Sequence, residues 1–372
     1  MFFSRGMFHR WMLGLIGMCL SHAVAAKDIA TDAVQPGIAA AVSQLEADGF
    51  RGLVLAAHKD KILAEAVVGD SVMNAGNKQR LTKEDIFRFA SITKQLTAVL
   101  VMQQVDAGKI DLDQALGKYW PDFPNIATRA VTIRQLMMHM SGLPNPDKVP
   151  QFYTRRSKSS GDMQVTAQGI CAAALQRTPG SGFDYNNCDY IVLGALLERM
   201  SGASFASLLK EKIFAPAQMT SAGMYTATYH DNPRHVRGMM SGAPEITINF
   251  ASYGAAGAAF GSMRDLLAFD QAFTQGKLMS LTSRSEMVRP NNYGAALGVW
   301  SYPFAAKPDQ APVMIVERQG WIGGVRTLNL IDIKNEVYLV MVSTNGDLDL
   351  SQTWANKGPA AGVLRAALLA AQ

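Results

Sequence analysis

The sequence predicts a fold of the α/β (α+β) class: one antiparallel sheet built from both ends of the chain, with a large helical region, about residues 84–285, inserted between its two parts. Three observations predict it. Strand-like runs gather near residues 52–70 and again over 293–344, helical patterning fills the interval, and a 48% hydrophobic, 17% charged composition describes a globular chain with a substantial core.

In chain order, "GLVLAAHKDKILAEAVVGD" breaks two apolar runs with the polar "HKDK" and reads as two antiparallel strands joined by a tight turn. The helical region follows in "SITKQLTAVLVMQQVDAG", "TIRQLMMHM", "DYIVLGALLERMSG", "SFASLLKEKIFAP" and "SMRDLLAFDQAFTQ", punctuated by Gly and Pro. Strands return in "YGAALGVWSY", "APVMIVERQG", "VRTLNLIDI" and "EVYLVMVST", the last two parted by "KN" as a two-residue hairpin turn. The terminal "AAGVLRAALLAAQ" is a helix expected to pack on the sheet.

The first 26 residues read as a secretory signal peptide. Arg5 and Arg10 precede or open the apolar stretch "WMLGLIGMCL", and "AVAAK" offers small residues for cleavage near Ala25 or Ala26. Ten apolar residues are about half of a bilayer span, so no stable membrane span is expected after cleavage. Met18 is bulky for lipid attachment at Cys19. The mature domain is expected to be residues 27–372, periplasmic or secreted.

Removing Arg5 and Arg10 leaves 33 of the 35 basic residues against 30 acidic ones, a formal charge of +3. That mild charge, with no basic cluster interleaved with aromatics, excludes nucleic acid as an expected partner, and "YTRRSKSS" reads as a solvated loop. A small-molecule ester, amide or peptide substrate is expected instead. Cys171 and Cys188 remain after processing; an oxidising compartment permits a disulfide, but a core this large needs no staple, and two separate buried thiols are expected. "HDNPRH" places His230 and His235 five apart around Pro233, which is not zinc-helix spacing, so no metal or other cofactor is expected.

Ser91 and Lys94 stand three apart at the start of an apolar run, on one helix face. The spacing alone is cheap, and "SLLK" at Ser207 and Lys210 repeats it inside an amphipathic helix. Context separates the two. "AVLVM" is apolar on almost every side, so the first helix is central, and its first turn would hold Ser91 among unpaired backbone N–H groups at the positive pole. Neutralising Lys94 there at pH 7 requires about three units from a reference near 10.4, roughly 4 kcal/mol. A second titrating group sharing the proton eases that requirement. Tyr185 is the candidate, as the one tyrosine among ten with Asn two places later, at Asn187.

"SITK", "YNN" and "QGWIGGV", in that order, resemble the serine β-lactamase and penicillin-recognising family, in its class C-like branch with the D-alanyl peptidases and family VIII carboxylesterases. "FRFASITKQLTAVLVMQQVDAGKIDLDQAL", "VTIRQLMMHMSGLPN", "FDYNNCDYIVLGALLERMSG" and "STNGD" extend the resemblance over roughly residues 36–370. It implies a β-lactamase/transpeptidase-like fold, Ser91 as acylated nucleophile, Lys94 as proton relay, Tyr185 as general base and later acid, and Asn187 as an amide orienting substrate and Lys94. Which of Lys94 and Tyr185 takes the first proton stays open.

The third motif departs from the family. Trp321, Ile322 and Gly323 are matched to the usual Lys-Thr-Gly, which makes Trp321 and Gly323 substrate-binding residues, with Gly324 offering an oxyanion N–H beside that of Ser91. An indole in place of the lysine favours neutral acyl substrates; Arg326 reads as a solvent-facing strand residue. His139 in "HMSG" is expected to pack rather than catalyse, since the chain has no G-x-S-x-G elbow. The function expected is a serine hydrolase cleaving ester or amide bonds through an acyl-enzyme. The alternatives are a β-lactamase or D,D-peptidase acting on cell-wall peptides, and an inactive penicillin- or peptidoglycan-binding protein.

Overall fold

The computed structural model describes residues 35–72, 78–154, 162–226 and 235–372. The leader at 1–26, His230 and most of "YTRRSKSS" lie outside the described residues.

Six strands form one antiparallel sheet. The first hairpin supplies β1 (Gly52–His58) and β2 (Lys61–Val68); the C-terminal block supplies β3 (Trp300–Phe304), β4 (Val313–Ile322), β5 (Val325–Asp332) and β6 (Val337–Ser343). Their order is β3-β4-β5-β6-β1-β2, so β1 of the N-terminal block pairs with β6 of the C-terminal one, Leu55 facing Val340. This is the sheet from both chain ends, with a helical region between, that the sequence predicts.

Both faces of the sheet are covered, which is why its strands read as nearly continuous apolar runs. Side chains alternate between two cores. Val54, Ala56, Leu339 and Met341 pack with α1 (Pro36–Ala47) and the terminal α5 (Pro359–Ala370), through Ile38, Val42, Leu364 and Leu368. Leu53, Leu55, Val340 and Val342 face the larger core, which holds α2 (Thr93–Asp106), α3 (Asn187–Ser201) and α4 (Met263–Thr274). All of Thr93 to Met102 on α2 is buried, in keeping with its all-round apolar pattern.

Three expectations are corrected. In "YGAALGVWSY" the strand begins only at Trp300, because Gly294 and Gly298 take positive φ and turn the chain. The β5–β6 turn has four residues, not two: Asp332 pairs with Val337, and the Asp332 carboxylate accepts the N–H groups of Lys334 and Asn335. Cys171 and Cys188 form a disulfide rather than separate thiols. The bridge ties the start of α3, three residues after Tyr185, to the 3₁₀ turn Ile170–Ala172, and no count of apolar residues could reveal that local need.

Among the described residues no single helix is long and apolar enough to cross a membrane.

Candidate active site

Ser91 lies in a 3₁₀ turn, Ala90–Ile92, that joins the two-residue strand Phe87–Arg88 to α2. Ala90 is forced to φ +48°, a region a non-glycine residue avoids, so the turn ahead of Ser91 is held by its surroundings. Lys94 sits in the first turn of α2, fully buried. Tyr185 arrives from the loop before α3, and Asn187 is the first residue of that helix, with Asn186 as its cap.

The structure brings all four together. Tyr185 Oη donates to Ser91 Oγ at 2.6 Å, and Lys94 Nζ lies 3.1 Å from the same oxygen. Lys94 Nζ also donates to Asn187 Oδ1 at 2.6 Å and to the Ala256 carbonyl at 2.8 Å. These last two accept only, so two ammonium hydrogens are committed and the third position faces the nucleophile. Asn187 holds Lys94 as the resemblance implies, but its amide N–H groups donate to Asp147 at 2.9 Å and Tyr153 at 3.0 Å. Tyr153 in turn stacks on Tyr253, ring centroids 3.8 Å apart.

Burial pushes the Lys94 amine below its ordinary value, opposed by Tyr185 and aided by Arg318. Burial alone would raise the Tyr185 phenol. The charges of Lys94 and Arg318 and the hydrogen bonds at its oxygen overcome that and bring it below 10. Amine and phenol therefore titrate as a unit.

Arg318 was not among the residues the sequence singled out. Its Nη2 donates to Tyr185 Oη and its Nε to the Ser91 carbonyl, each at 2.8 Å. It corrects the register of the third motif by three residues: the segment beside the nucleophile is Arg318-Gln319-Gly320, not Trp321-Ile322-Gly323. Gly320 is the glycine that close approach demands, because a Cβ there would stand 2.4 Å from the Phe89 carbonyl. Arg318 and Gly320, two apart, share a strand face. The cation taken to be lost with Trp321 is thus present, and the reason it gave for neutral substrates falls away.

Gly324 is corrected too. Its N–H donates to the buried Glu245 carboxylate at 2.6 Å and cannot meet an oxyanion. Gly323, at φ +57°, opens the two-residue β4–β5 turn, with Ile322 opposite Val325. From that turn, ladder bonds alternate, so Ile322, Gly320 and Arg318 bond toward β5 while the Trp321 and Gln319 amides face the other edge. β3 covers that edge only as far as Glu317, opposite Trp300. Its uncovered part runs beside Ser91, which makes Trp321 N–H the second candidate oxyanion donor. The Trp321 side chain is half exposed at the pocket wall, bonded through Nε1 to the Gly323 carbonyl and covered by the Arg326 guanidinium at 4.1 Å. Arg326 accordingly folds over the indole, with Nε on the Gly346 carbonyl, rather than facing solvent.

His139 packs against the Tyr185 ring, centroids 4.5 Å apart, and accepts the Asn186 N–H at Nδ1, with Asp189 Oδ2 3.1 Å from the same nitrogen. Burial drives its imidazole well below the usual range and the neighbouring Asp189 carboxyl well above. It supports Tyr185 without touching Ser91. Lys210 of the second S-x-x-K is exposed, and Ser207 bonds only within its own helix turn.

Ser91, Tyr185 and Asn187 line a cavity of about 570 Å³ whose walls include Tyr153, Tyr253, Trp300, Arg318 and Trp321, with Lys94 buried beneath it. An aromatic groove of about 560 Å³, bordered by Tyr293, Tyr302 and Trp354, shares Trp300 and Gln319 with it. Among the described residues no group of three or more His, Cys, Asp or Glu could hold a metal ion.

The chain is similar to known proteins in sequence and in fold. Esterase EstB of Burkholderia gladioli is 30% identical over 205 residues, 50% of this chain and 52% of that protein. Penicillin-binding protein 4* of Bacillus subtilis (strain 168) is 31% identical over 179 residues, 47% of this chain and 38% of that one. The chain spans 60% or less of the curated relatives it matches. In fold, the crystal structure of D-amino acid amidase from Ochrobactrum anthropi SV3 superposes with a TM-score of 0.73 at 21% identity, covering 90% of this chain and 98% of that one. A family model described as Beta-lactamase matches residues 38–357, and with a serine, lysine and tyrosine converging on one oxygen inside that span, the chain belongs to the beta-lactamase family.

Proposed function

We propose that the protein is a serine hydrolase that cleaves ester or amide bonds of small acyl substrates through an acyl-enzyme on Ser91. The observation that carries this reading is the approach of two titrating groups, Tyr185 Oη at 2.6 Å and Lys94 Nζ at 3.1 Å, to one serine oxygen.

In acylation, Tyr185 as phenolate takes the Oγ proton while Oγ bonds to the substrate carbonyl carbon. The carbonyl electron pair moves onto oxygen, facing the N–H groups of Ser91 and Trp321. The intermediate collapses as Tyr185 returns the proton to the leaving alcohol or amine, and water repeats the sequence to release the acid. Tyr185 serves as the first base because it is nearer than Lys94 and because Arg318 and Lys94 both favour its anion. The aromatic walls and the groove beyond Trp300 suit apolar, aryl-bearing substrates.

A second reading, action on β-lactams or cell-wall peptides, is favoured by the guanidinium groups of Arg318 and Arg326 in the same wall, which could meet a carboxylate. An inactive binding protein has no use for a proton relay this complete.

One experiment tests all three. The mature protein is given a p-nitrophenyl ester, a fluorescent penicillin and a D-alanyl peptide, and the acylated residue is found by mass. Rapid ester turnover that Ser91→Ala abolishes is expected. Stable penicillin labelling without release favours a peptidase or binding protein, and turnover surviving Ser91→Ala would overturn the acyl-enzyme.

Export through the leader, with cleavage near Ala25 or Ala26, belongs to the same proposal. The Cys171–Cys188 bond supports it, since disulfides persist in oxidising compartments. N-terminal sequencing of secreted protein checks it.

A further inference from the structure

Behind the turn that follows Trp321 and Ile322 lies a buried ion pair, Arg88 with Glu245, both side chains at most 1% exposed. Arg88 belongs to the strand three residues before Ser91. Its Nη2 binds the Glu245 carboxylate, its Nε donates to the Ile322 carbonyl at 2.9 Å, and its guanidinium lies over the Phe250 ring. Glu245 receives the Gly324 N–H at 2.6 Å through the oxygen that meets Arg88. The pair thus grips the Gly323–Gly324 turn by the carbonyl of the last β4 residue and the amide of the turn's second glycine. Arg237 Nη2 donates to the Glu245 backbone carbonyl, fixing the acid's own segment.

The two candidate oxyanion donors sit on either side of this grip. Ser91 N–H follows Arg88 by three residues, and Trp321 N–H precedes Ile322 by one. They come from segments some 230 residues apart in sequence, and a donor removed from such a hole typically costs 10²- to 10³-fold in kcat. We infer that Arg88 and Glu245 are positioning residues that set the distance between the Ser91 and Trp321 amides, without themselves touching substrate. The inference rests on the acyl-enzyme reading. Glycine at 323 fits it, because a Cβ there would stand 2.4 Å from the same carboxylate oxygen. A buried charged pair is weak evidence for stability on its own, and fixing one geometry is a use such pairs have in other proteins.

The test uses Glu245→Gln and the double variant Arg88→Met/Glu245→Gln, which removes both members of the pair together, while Arg237, 3.9 Å from the Glu245 carboxylate, keeps its bond to the backbone carbonyl of residue 245. Wild type and variants, checked for folding by near-ultraviolet circular dichroism, are compared on a p-nitrophenyl ester and on its thionoester, whose sulfur accepts hydrogen bonds poorly. Expected is a fall in kcat of about 10- to 100-fold, KM within about twofold, and an oxygen-over-sulfur preference shrinking by a similar factor. A merely structural pair would leave that preference unmoved. Folded variants with unchanged kcat and unchanged preference overturn the positioning role while leaving the acyl-enzyme standing. A wild type that never acylates Ser91 removes both.

Discussion

At the scale of single residues, the site works by setting charges against burial. Lys94 and Tyr185 are each enclosed, and enclosure alone would drive both toward neutrality. Arg318 breaks that symmetry by donating to the phenol oxygen, which lowers the proton affinity of Tyr185 and, by repulsion, that of Lys94. Removing this cation therefore raises both. In Arg318→Met, the rising limb of the pH–kcat/KM profile should move to higher pH by about one unit, and kcat/KM near neutrality should fall. An unmoved limb would show that Arg318 does not tune the relay. Tyr185→Phe should lose about 10²- to 10⁴-fold in kcat, measured on the same ester.

Among the elements, the loop before α3 has the least regular structure of its own and the most chemistry to hold. It carries Tyr185, ends in the Asn186 cap, and is pinned within a few residues by the Cys171–Cys188 bond and by Asn145, whose amide donates to the Tyr185 carbonyl at 3.1 Å. The bridged cysteines are 17 apart in sequence, a loop whose closure is worth about 3 kcal/mol in the chain-entropy view. The Cys171→Ala/Cys188→Ala variant should lose about 2–3 kcal/mol in denaturant unfolding. It should also lose kcat, because the tyrosine loop is released along with the staple. Lost stability with unchanged kcat would confine the bridge to the fold. β4 is the other exacting element: its glycine at 320 lets a strand run against the nucleophile turn, and the end of β3 leaves its edge open there.

For the molecule as a whole, the sheet divides labour between its faces. The relay lies on the side of α2 and α3, while α1 and α5 close a separate apolar core on the other. Leu364 is buried in that second core, so Leu364→Ala should cost about 2–5 kcal/mol in unfolding free energy with kcat on the ester unchanged. A parallel loss of activity would mean the faces are coupled through the sheet.

The same division separates what could be read in advance from what could not. The chain by itself determined its two-ended sheet, its inserted helices, its central first helix and the Ser91, Lys94, Tyr185 and Asn187 set, because period and short motifs are local properties. Local reading failed where the exact register between two distant segments decided the outcome. Gly320 looked no more special than Gly323 until the Phe89 carbonyl stood against it, and Arg318 stood unnoticed until β4 was laid beside Ser91. Cys171 and Cys188 became a pair only once a 3₁₀ turn and a helix start lay 5.3 Å apart at their Cα atoms. Which amide faces the open edge, which glycine is indispensable and which cation governs the phenol are questions of register between strands, and register is decided by packing across the fold rather than by neighbours along the chain.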